Sequence, residues 1–401
     1  MIQDLEKPDV AELTRKTRDF IRTEVLPIED QHAGDITAAG GDQLRERLQH
    51  LAQEAGVFAP HAPRRYGGHG ANMVDRAPVF EEAGYSLFGP VALNIAAPDE
   101  GNVHMLEHIA TPEQKEQYLA PLAAGQVRSA FAMTEPAPGA GSDPTALTTR
   151  AERVAGGWRI TGYKHFITGA DGADFFIIFA RTSGNPGDRG GGTMFVTQSQ
   201  TQGLVVGRHI ETLDKSMIGG HCEVHFNDLF VPDSGVLGGV DNGFSAVQVR
   251  LGPARMTHVM RWLGAARRAH DIAVAYVCER QAFGGRLSDL GMVHQMVADN
   301  EIDIAATRAL LMQACQELDR GEHANQSTSI AKTFAAEAIF RIADRSVQMC
   351  GGLGVSGDLP VARIAGEVRG FRIYDGASEV HRWAIAKRAL AAARNGQGVP
   401  A

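Results

Sequence analysis

The chain has 401 residues, of which 44% are hydrophobic and 21% charged, with a formal net charge of −8. This composition supports a large buried core and excludes the disordered, collagen-like and coiled-coil classes. The charges are scattered without a basic block, which argues against nucleic acid as a partner, and no apolar run approaches the roughly 20 residues that a bilayer span needs.

From residue 9 to about 124 the periodicity is helical. One helix is expected over 10–26, ending at Pro27, and another over 43–55, ending at Gly56. Thr111-Pro112-Glu113-Gln114 places an N-cap hydroxyl, a first-turn proline and a capping-box glutamine in register, so a helix starts there and is expected to stop before Pro121. Near Val127 the texture becomes short β-type runs: 129–133, 149–154, 158–167, 175–181, 193–196 and 223–231, with Ala155-Gly156-Gly157 as a hairpin turn and 184–192 as a mobile surface loop. Helical periodicity returns after Gly243 over 244–279, 292–318, 327–350 and 378–393. The expected architecture is α+β and multidomain: an N-terminal helical domain (1–125), a middle β-barrel or sandwich domain (126–240) and a C-terminal four-helix bundle (241–401).

The segment MIQDLEKPDV lacks the basic-then-apolar order of a signal peptide, and Cys222, Cys278, Cys315 and Cys350 form no C-x-x-C pair. A cytoplasmic protein with four buried free thiols is expected, without a metal site. Gly352-Leu353-Gly354-Val355-Ser356-Gly357 matches a dinucleotide fingerprint but follows a helix instead of a strand, so it reads as a helix cap and turn. His104-Met105-Leu106-Glu107-His108 has the zinc-peptidase spacing of two imidazoles but no third ligand, and reads as a solvated helix face.

Four stretches carry chemistry. The first is Phe131-Ala132-Met133-Thr134-Glu135-Pro136 with Gly139-Ala140-Gly141-Ser142-Asp143, a strand end and glycine-rich turn that can offer amides and a hydroxyl to a heterocycle or phosphate. The others are Phe166-Ile167-Thr168-Gly169, Arg280-Gln281-Ala282-Phe283-Gly284 and Gln348-Met349-Cys350-Gly351-Gly352. In this order they resemble the acyl-CoA dehydrogenase family over residues 10–393.

The resemblance implies FAD as cofactor and an acyl-CoA substrate. Met133, Thr134, Phe166 and Thr168 would contact the flavin ring, with Phe131, Ser142, Ala377 and Glu379 completing that set. Phe166 stands where the family commonly has tryptophan, and the glycine turn is two residues longer than usual. Arg280, Phe283, Gln348, Gly351 and Gly352 would reach the FAD of a neighbouring subunit, implying a homo-oligomer, a tetramer or dimer. The catalytic carboxylate maps onto Asp375 in Ile373-Tyr374-Asp375-Gly376-Ala377-Ser378-Glu379, where most members have glutamate. Ser142, Arg255, Gly376 and Lys387 are the substrate-binding candidates, and Arg255 reads equally as a surface ion pair.

The implied reaction is removal of an α proton by Asp375 and of a β hydride to the flavin, with electrons passed to an electron-transfer flavoprotein. Ala97-Pro98-Asp99-Glu100-Gly101-Asn102, Gly220–Phe226, Arg250–Arg255 and Asp375 look like the branch associated with kinase-like domains and 4-phosphooxy-acyl-CoA intermediates of 4-hydroxy acid degradation. A nitroalkane oxidase, which shares the fold and an aspartate base, and a catalytically silent FAD-binding scaffold are the alternatives.

Overall fold

The computed structural model describes residues 8–396. Helices α1 (Val10–Phe20), α2 (Asp42–Glu54), α3 (Met73–Ala83) and α4 (Asp99–Ile109) form the N-terminal layer. The expected stop at Pro27 is corrected: α1 runs on through a π-helical turn, Ile21–Val25, into Leu26–Gln31. The same device recurs downstream, where Pro112–Gln114 passes through Lys115–Leu119 into Ala120–Ala123, so Pro121 does not end that helix either. In both cases the proline falls in the first turn of the segment that follows the π turn, where a missing N–H costs least. The capping box at Thr111 and Gln114 is present.

The middle region is one eight-stranded sheet: β1 (Ser129–Ala132), β2 (Arg150–Val154), β3 (Gly157–Thr168), β4 (Phe175–Arg181), β5 (Gly192–Gln198), β6 (Leu204–His209), β7 (His221–Pro232) and β8 (Val236–Leu237). Strand order is β6-β7-β3-β2-β4-β5-β8, with β1 parallel to β4. Inward residues of most strands, among them Trp158, Ile160, Phe176, Ile178, Phe195, Val224 and Phe226, converge on one core, so the sheet curls around its own apolar face.

Helices α5 (Gly243–Glu279), α6 (Gly291–Asp319), α7 (Asn325–Gly354) and α9 (Ser378–Arg394) form the C-terminal bundle, with α8 (Val361–Arg369) before the last. Helix α3 and the turn after it cross α5 at backbone contact. A Cβ at Gly84 would fall 2.0 Å from the Arg261 carbonyl oxygen, and one at Gly264 2.1 Å from that of Glu81, so only glycine admits this crossing. Arg268 of α5 locks it from the side, donating to the buried Glu29 at 2.6 Å, while Ser86 Oγ and Leu87 N–H donate to the other oxygen of Glu29. The N-terminal layer is thereby tied to the helix that carries much of the candidate site.

Two smaller expectations change. Cys278 is exposed, whereas Cys222, Cys315 and Cys350 are buried. His104 is not on a solvated face: burial, reinforced by Arg76, pulls its imidazole down to about 3. Among the described residues no helix is long and apolar enough to cross a membrane.

Candidate active site around the Asp375 turn

Asp375 lies between the end of α8 and the start of α9, in the left-handed region with φ +53°. Aspartate tolerates that conformation better than glutamate would, because its short polar side chain interacts locally. Gly376 follows at φ +95°, and a Cβ there would sit 2.6 Å from His381 Nε2. The turn is held by three donors from three helices. Arg255 Nε of α5 donates to the Asp375 carbonyl at 3.0 Å, His381 Nε2 of α9 lies 3.1 Å from the same oxygen, and Lys332 Nζ of α7 donates to the Gly376 carbonyl at 2.6 Å. Among the described residues the Asp375 N–H has no hydrogen-bond partner.

The Asp375 side chain is 17% exposed, and His258 Nε2 of α5 lies 3.3 Å from its Oδ2. Burial pushes the carboxyl up, but His258, Arg250 and Arg255 outweigh it and hold it well below the usual carboxylate range. Arg261 NH2 approaches His258 Nδ1 at 3.0 Å. A guanidinium can only donate, so Nδ1 accepts and the neutral ring carries its proton on Nε2, toward Asp375. Burial, then Arg261, lowers His258, which favours that neutral form. Arg261 in turn donates to the Ile95 carbonyl at 2.6 Å and lies 3.7 Å from Glu100, which also accepts from Thr257 Oγ1 at 2.8 Å and lies 3.6 Å from Arg76. Tyr374 is half-buried beside this group, and Trp262 Nε1 donates to its hydroxyl.

A cavity of ≈ 20 Å³ opens next to His258, Arg261 and Trp262, with Ser86, Ser216 and Met217 on its other walls. It has room for about one water.

The two β-domain motifs meet at the strand ends. His165 N–H donates to the Thr134 carbonyl at 3.0 Å, and Lys164 Nζ donates to the Met133 carbonyl at 2.9 Å and to Glu135 at 2.8 Å. Glu135 gathers the glycine-rich turn, accepting from Ala140 N–H, Thr148 N–H and Oγ1, and Thr149 N–H. Burial opposes its charge, but Lys164 and these donors hold it down at about 2, while burial pulls Lys164 down to about 8. A register shift after Lys164 turns Phe166 outward, at φ +52° and 49% exposed, beside the half-buried Met133, Thr134 and Thr168. Phe131 packs under Arg250, whose guanidinium carbon is 4.1 Å from the ring centre.

The remaining candidates lie apart from this set. Ser142 and Glu379 are exposed, and Ala377 is the residue preceding α9. Lys387 is exposed and stacks on Trp383. Arg255 is not a surface ion pair, since its guanidinium is spent on the Asp375 carbonyl. Phe283, 92% exposed, tips a small hairpin (Gln281–Ala282 with Gly285–Arg286) after Arg280, and Gln348, Gly351 and Gly352 are exposed at a kink where Gly351 takes φ +58°. None of these hydrogen-bonds to the Asp375 turn.

Sequence reasoning missed His258, Arg261, Lys332, His381 and the Glu135–Lys164 pair. The signal for the first two was present: His258 and Arg261 interrupt an otherwise apolar stretch, Met256-Thr257-His258-Val259-Met260-Arg261-Trp262-Leu263, one turn apart.

Sequence profiles described as acyl-CoA dehydrogenase N-terminal, middle and C-terminal domain match residues 7–126, 130–229 and 241–390. The chain belongs to the acyl-CoA dehydrogenase family. It is 35% identical to FadE2 of Mycobacterium tuberculosis over 384 residues, covering 93% of each chain. It is 32% identical to acyl-CoA dehydrogenase family member 11 of Gallus gallus, covering 94% of this chain and 50% of that one, so it spans about half that relative's length. A solved chain from Mycobacterium abscessus superposes with a TM-score of 0.88 at 33% identity, covering 96% of this chain and 99% of the other.

As a family member the protein is a flavoprotein oxidoreductase acting on acyl-CoA, with FAD as its cofactor. The residues present fit that cofactor: Phe166 and Met133 offer an apolar ledge flanked by the Thr134 and Thr168 hydroxyls, and the buried Lys164–Glu135 pair fixes the loop beside it.

Proposed function

We propose that this enzyme oxidises an acyl-CoA thioester across its α and β carbons, with Asp375 as the base that takes the α proton. The observation that carries this reading is the Asp375 turn, where an ionised carboxylate is largely shielded from solvent while its own N–H is unspent. An α C–H beside a thioester is weakly acidic, so proton removal needs a fixed base together with a donor for the developing enolate oxygen. Asp375 supplies both from one residue: the carboxylate faces the α carbon and the N–H is offered to the thioester carbonyl. Arg255, His381 and Lys332 fix the backbone, so both groups are aimed before substrate arrives. FAD, when bound, supplies the acceptor for the β hydride, and its ring would lie on Met133, Thr134, Phe166 and Thr168.

The same reading includes a homo-oligomer, because Phe283, Met292, Val355 and Trp383 leave large apolar side chains in solvent in one chain, and Arg280, Gln348, Gly351 and Gly352 would serve a neighbour's cofactor. Electron-transfer flavoprotein is the proposed acceptor, and the cytoplasm, which keeps four free cysteines reduced, the proposed compartment. An acyl chain bearing an anionic group near its fourth carbon, as in 4-phosphooxy-acyl-CoA, is a second, finer reading, motivated by the branch resemblance of Ala97–Asn102, Gly220–Phe226 and Arg250–Arg255.

The test is anaerobic mixing of the FAD-loaded protein with plain and 4-phosphooxy-acyl-CoA thioesters while following the flavin band. Bleaching by a thioester that disappears in Asp375→Ala is expected. A yellow protein bleached by nitroalkanes and rapidly recoloured by O₂ would replace the reading with an oxidase, and one that neither class bleaches would leave a scaffold.

A further inference from the structure

Thr168 ends β3 and faces His221, its register partner at the start of β7. The Thr168 hydroxyl lies 3.0 Å from His221 Nδ1, and His221 Nε2 lies 2.7 Å from Asp214 Oδ2. Both His221 and Asp214 are shielded, at 16% and 17% side-chain exposure. The loop that carries Asp214 is pinned from α8: Glu367 accepts from Lys215 N–H at 2.6 Å, Ser216 N–H at 3.1 Å and Ser216 Oγ at 2.6 Å. Asp214, His221 and Thr168 thus form a connected line that proton abstraction at Asp375 does not use.

For the neutral imidazole the donor and acceptor roles along this line follow from valence. A carboxylate only accepts, so Asp214 requires the proton of His221 on Nε2. Nδ1 of the neutral ring is then an acceptor, and the Thr168 O–H must donate to it. The hydroxyl proton is spent, and what Thr168 presents to its other side is oxygen lone pairs. An oxidised isoalloxazine offers a lone pair at N5, which such an oxygen repels, whereas the reduced ring carries an N–H there, which it accepts.

We infer that the Asp214–His221 pair sets the hydrogen-bonding sense of Thr168, holding it as an acceptor that favours reduced over oxidised flavin. This rests on the reading that Thr168 faces the isoalloxazine, at its N5 edge. His221 and Asp214 are positioning residues in this scheme, since they act through the hydroxyl. Their effect appears in the substrate-free protein as a property of the bound flavin, independent of turnover.

The experiment measures the two-electron reduction potential of the FAD-loaded protein against a reference dye, at one mildly alkaline pH, in wild type and four variants. His221→Phe removes the acceptor and frees the Thr168 proton to donate to oxidised N5. Asp214→Asn releases the tautomer, so that Nδ1 carries the proton and Thr168 is again free to donate. Both are expected to shift the reduced-to-oxidised equilibrium at least tenfold toward the oxidised form, a fall of about 30 mV for a two-electron couple. His221→Asn, whose amide oxygen can accept from Thr168, is expected to stay near wild type. Thr168→Val shows whether the hydroxyl faces the flavin at all. A shift in Thr168→Val with none in His221→Phe and Asp214→Asn overturns the inference alone. No shift in Thr168→Val removes the reading beneath it. Should His221→Phe fail to retain flavin, Asp214→Asn and His221→Asn still decide, because the first is expected to lower the potential and the second to leave it near the wild-type value.

Discussion

Nε2 of His258 lies 3.3 Å from Oδ2 of Asp375, and Arg261 behind it dictates which ring nitrogen carries the proton. The ring N–H is not aligned on Oδ2, which keeps no hydrogen bond of its own. The pair is therefore an electrostatic contact across a short gap, in a site where Arg250, Arg255 and Lys332 add positive charge and Glu100 removes some of it.

His258→Phe keeps a ring of similar size and deletes the contact. The Asp375 carboxyl, held low in the wild type chiefly by His258 against its burial, should then rise. Because the base works only when ionised, the acid limb of kcat/KM for an unsubstituted acyl-CoA should move up, by on the order of one pH unit. An unmoved limb with a changed preference between plain and anionic acyl chains would assign His258 to substrate recognition instead.

Arg255→Met removes one of the two donors on the Asp375 carbonyl while leaving the carboxylate itself intact. The turn should loosen, and misplacement of the base by a fraction of an ångström is costly. The rate of flavin bleaching should fall by on the order of 10–100-fold with FAD content unchanged. Arg255→Lys should recover little, because a lysine cannot reproduce the planar guanidinium at Nε. Rapid-mixing kinetics with a flavin assay on the same samples checks both statements.

The long helices of the bundle and six of the strands were legible because they are long, regular and well punctuated, and Phe175–Arg181 is an uninterrupted apolar run. Pro27 and Pro121 misled because a π turn, which no residue pattern announces, moves each proline into a first turn. The edge strand Leu204–His209 escaped notice because only one of its ladder neighbours exists and its side chains are half-buried or exposed. At the site, a local motif located the Asp375 turn. The groups around it did not show, because His258 and Lys332 reach it from helices more than forty residues away and look, in sequence, like ordinary helix positions. Buried charge is legible only once its partner's place in space is known.

Lys164→Met tests such a pair in the β domain. Lys164 and Glu135 are both fully shielded at 0% side-chain exposure, and Glu135 holds the glycine-rich turn through four other donors. Removing the ammonium leaves a buried carboxylate uncompensated, which costs about 3–5 kcal/mol. Denaturant unfolding should register that loss, and the flavin should dissociate more readily because the turn beside it loosens. A loss below about 1 kcal/mol would mean that the backbone donors alone suffice for Glu135.

Glu367 gives the protein a pH-dependent stability whose sign can be worked out. Burial, reinforced by Asp214, pushes its carboxyl from 4.5 up to about 7, against the donors Lys215 N–H, Ser216 Oγ and Ser216 N–H. A carboxyl raised on folding binds more protons in the native than in the unfolded state, so between 4.5 and about 7 stability falls as pH rises. Its contribution is complete below 4.5 and gone above about 7, a swing of on the order of 3 kcal/mol. Glu367→Gln is neutral throughout, can accept both backbone N–H groups on its oxygen, and can donate to Ser216 Oγ from its amide. Its thermal midpoint should therefore lack this slope between about pH 5 and 7, and should exceed the wild-type value at mildly alkaline pH. Parallel midpoint-against-pH curves for the two proteins would show that the carboxyl is already ionised across the window and that its three donors outweigh its burial.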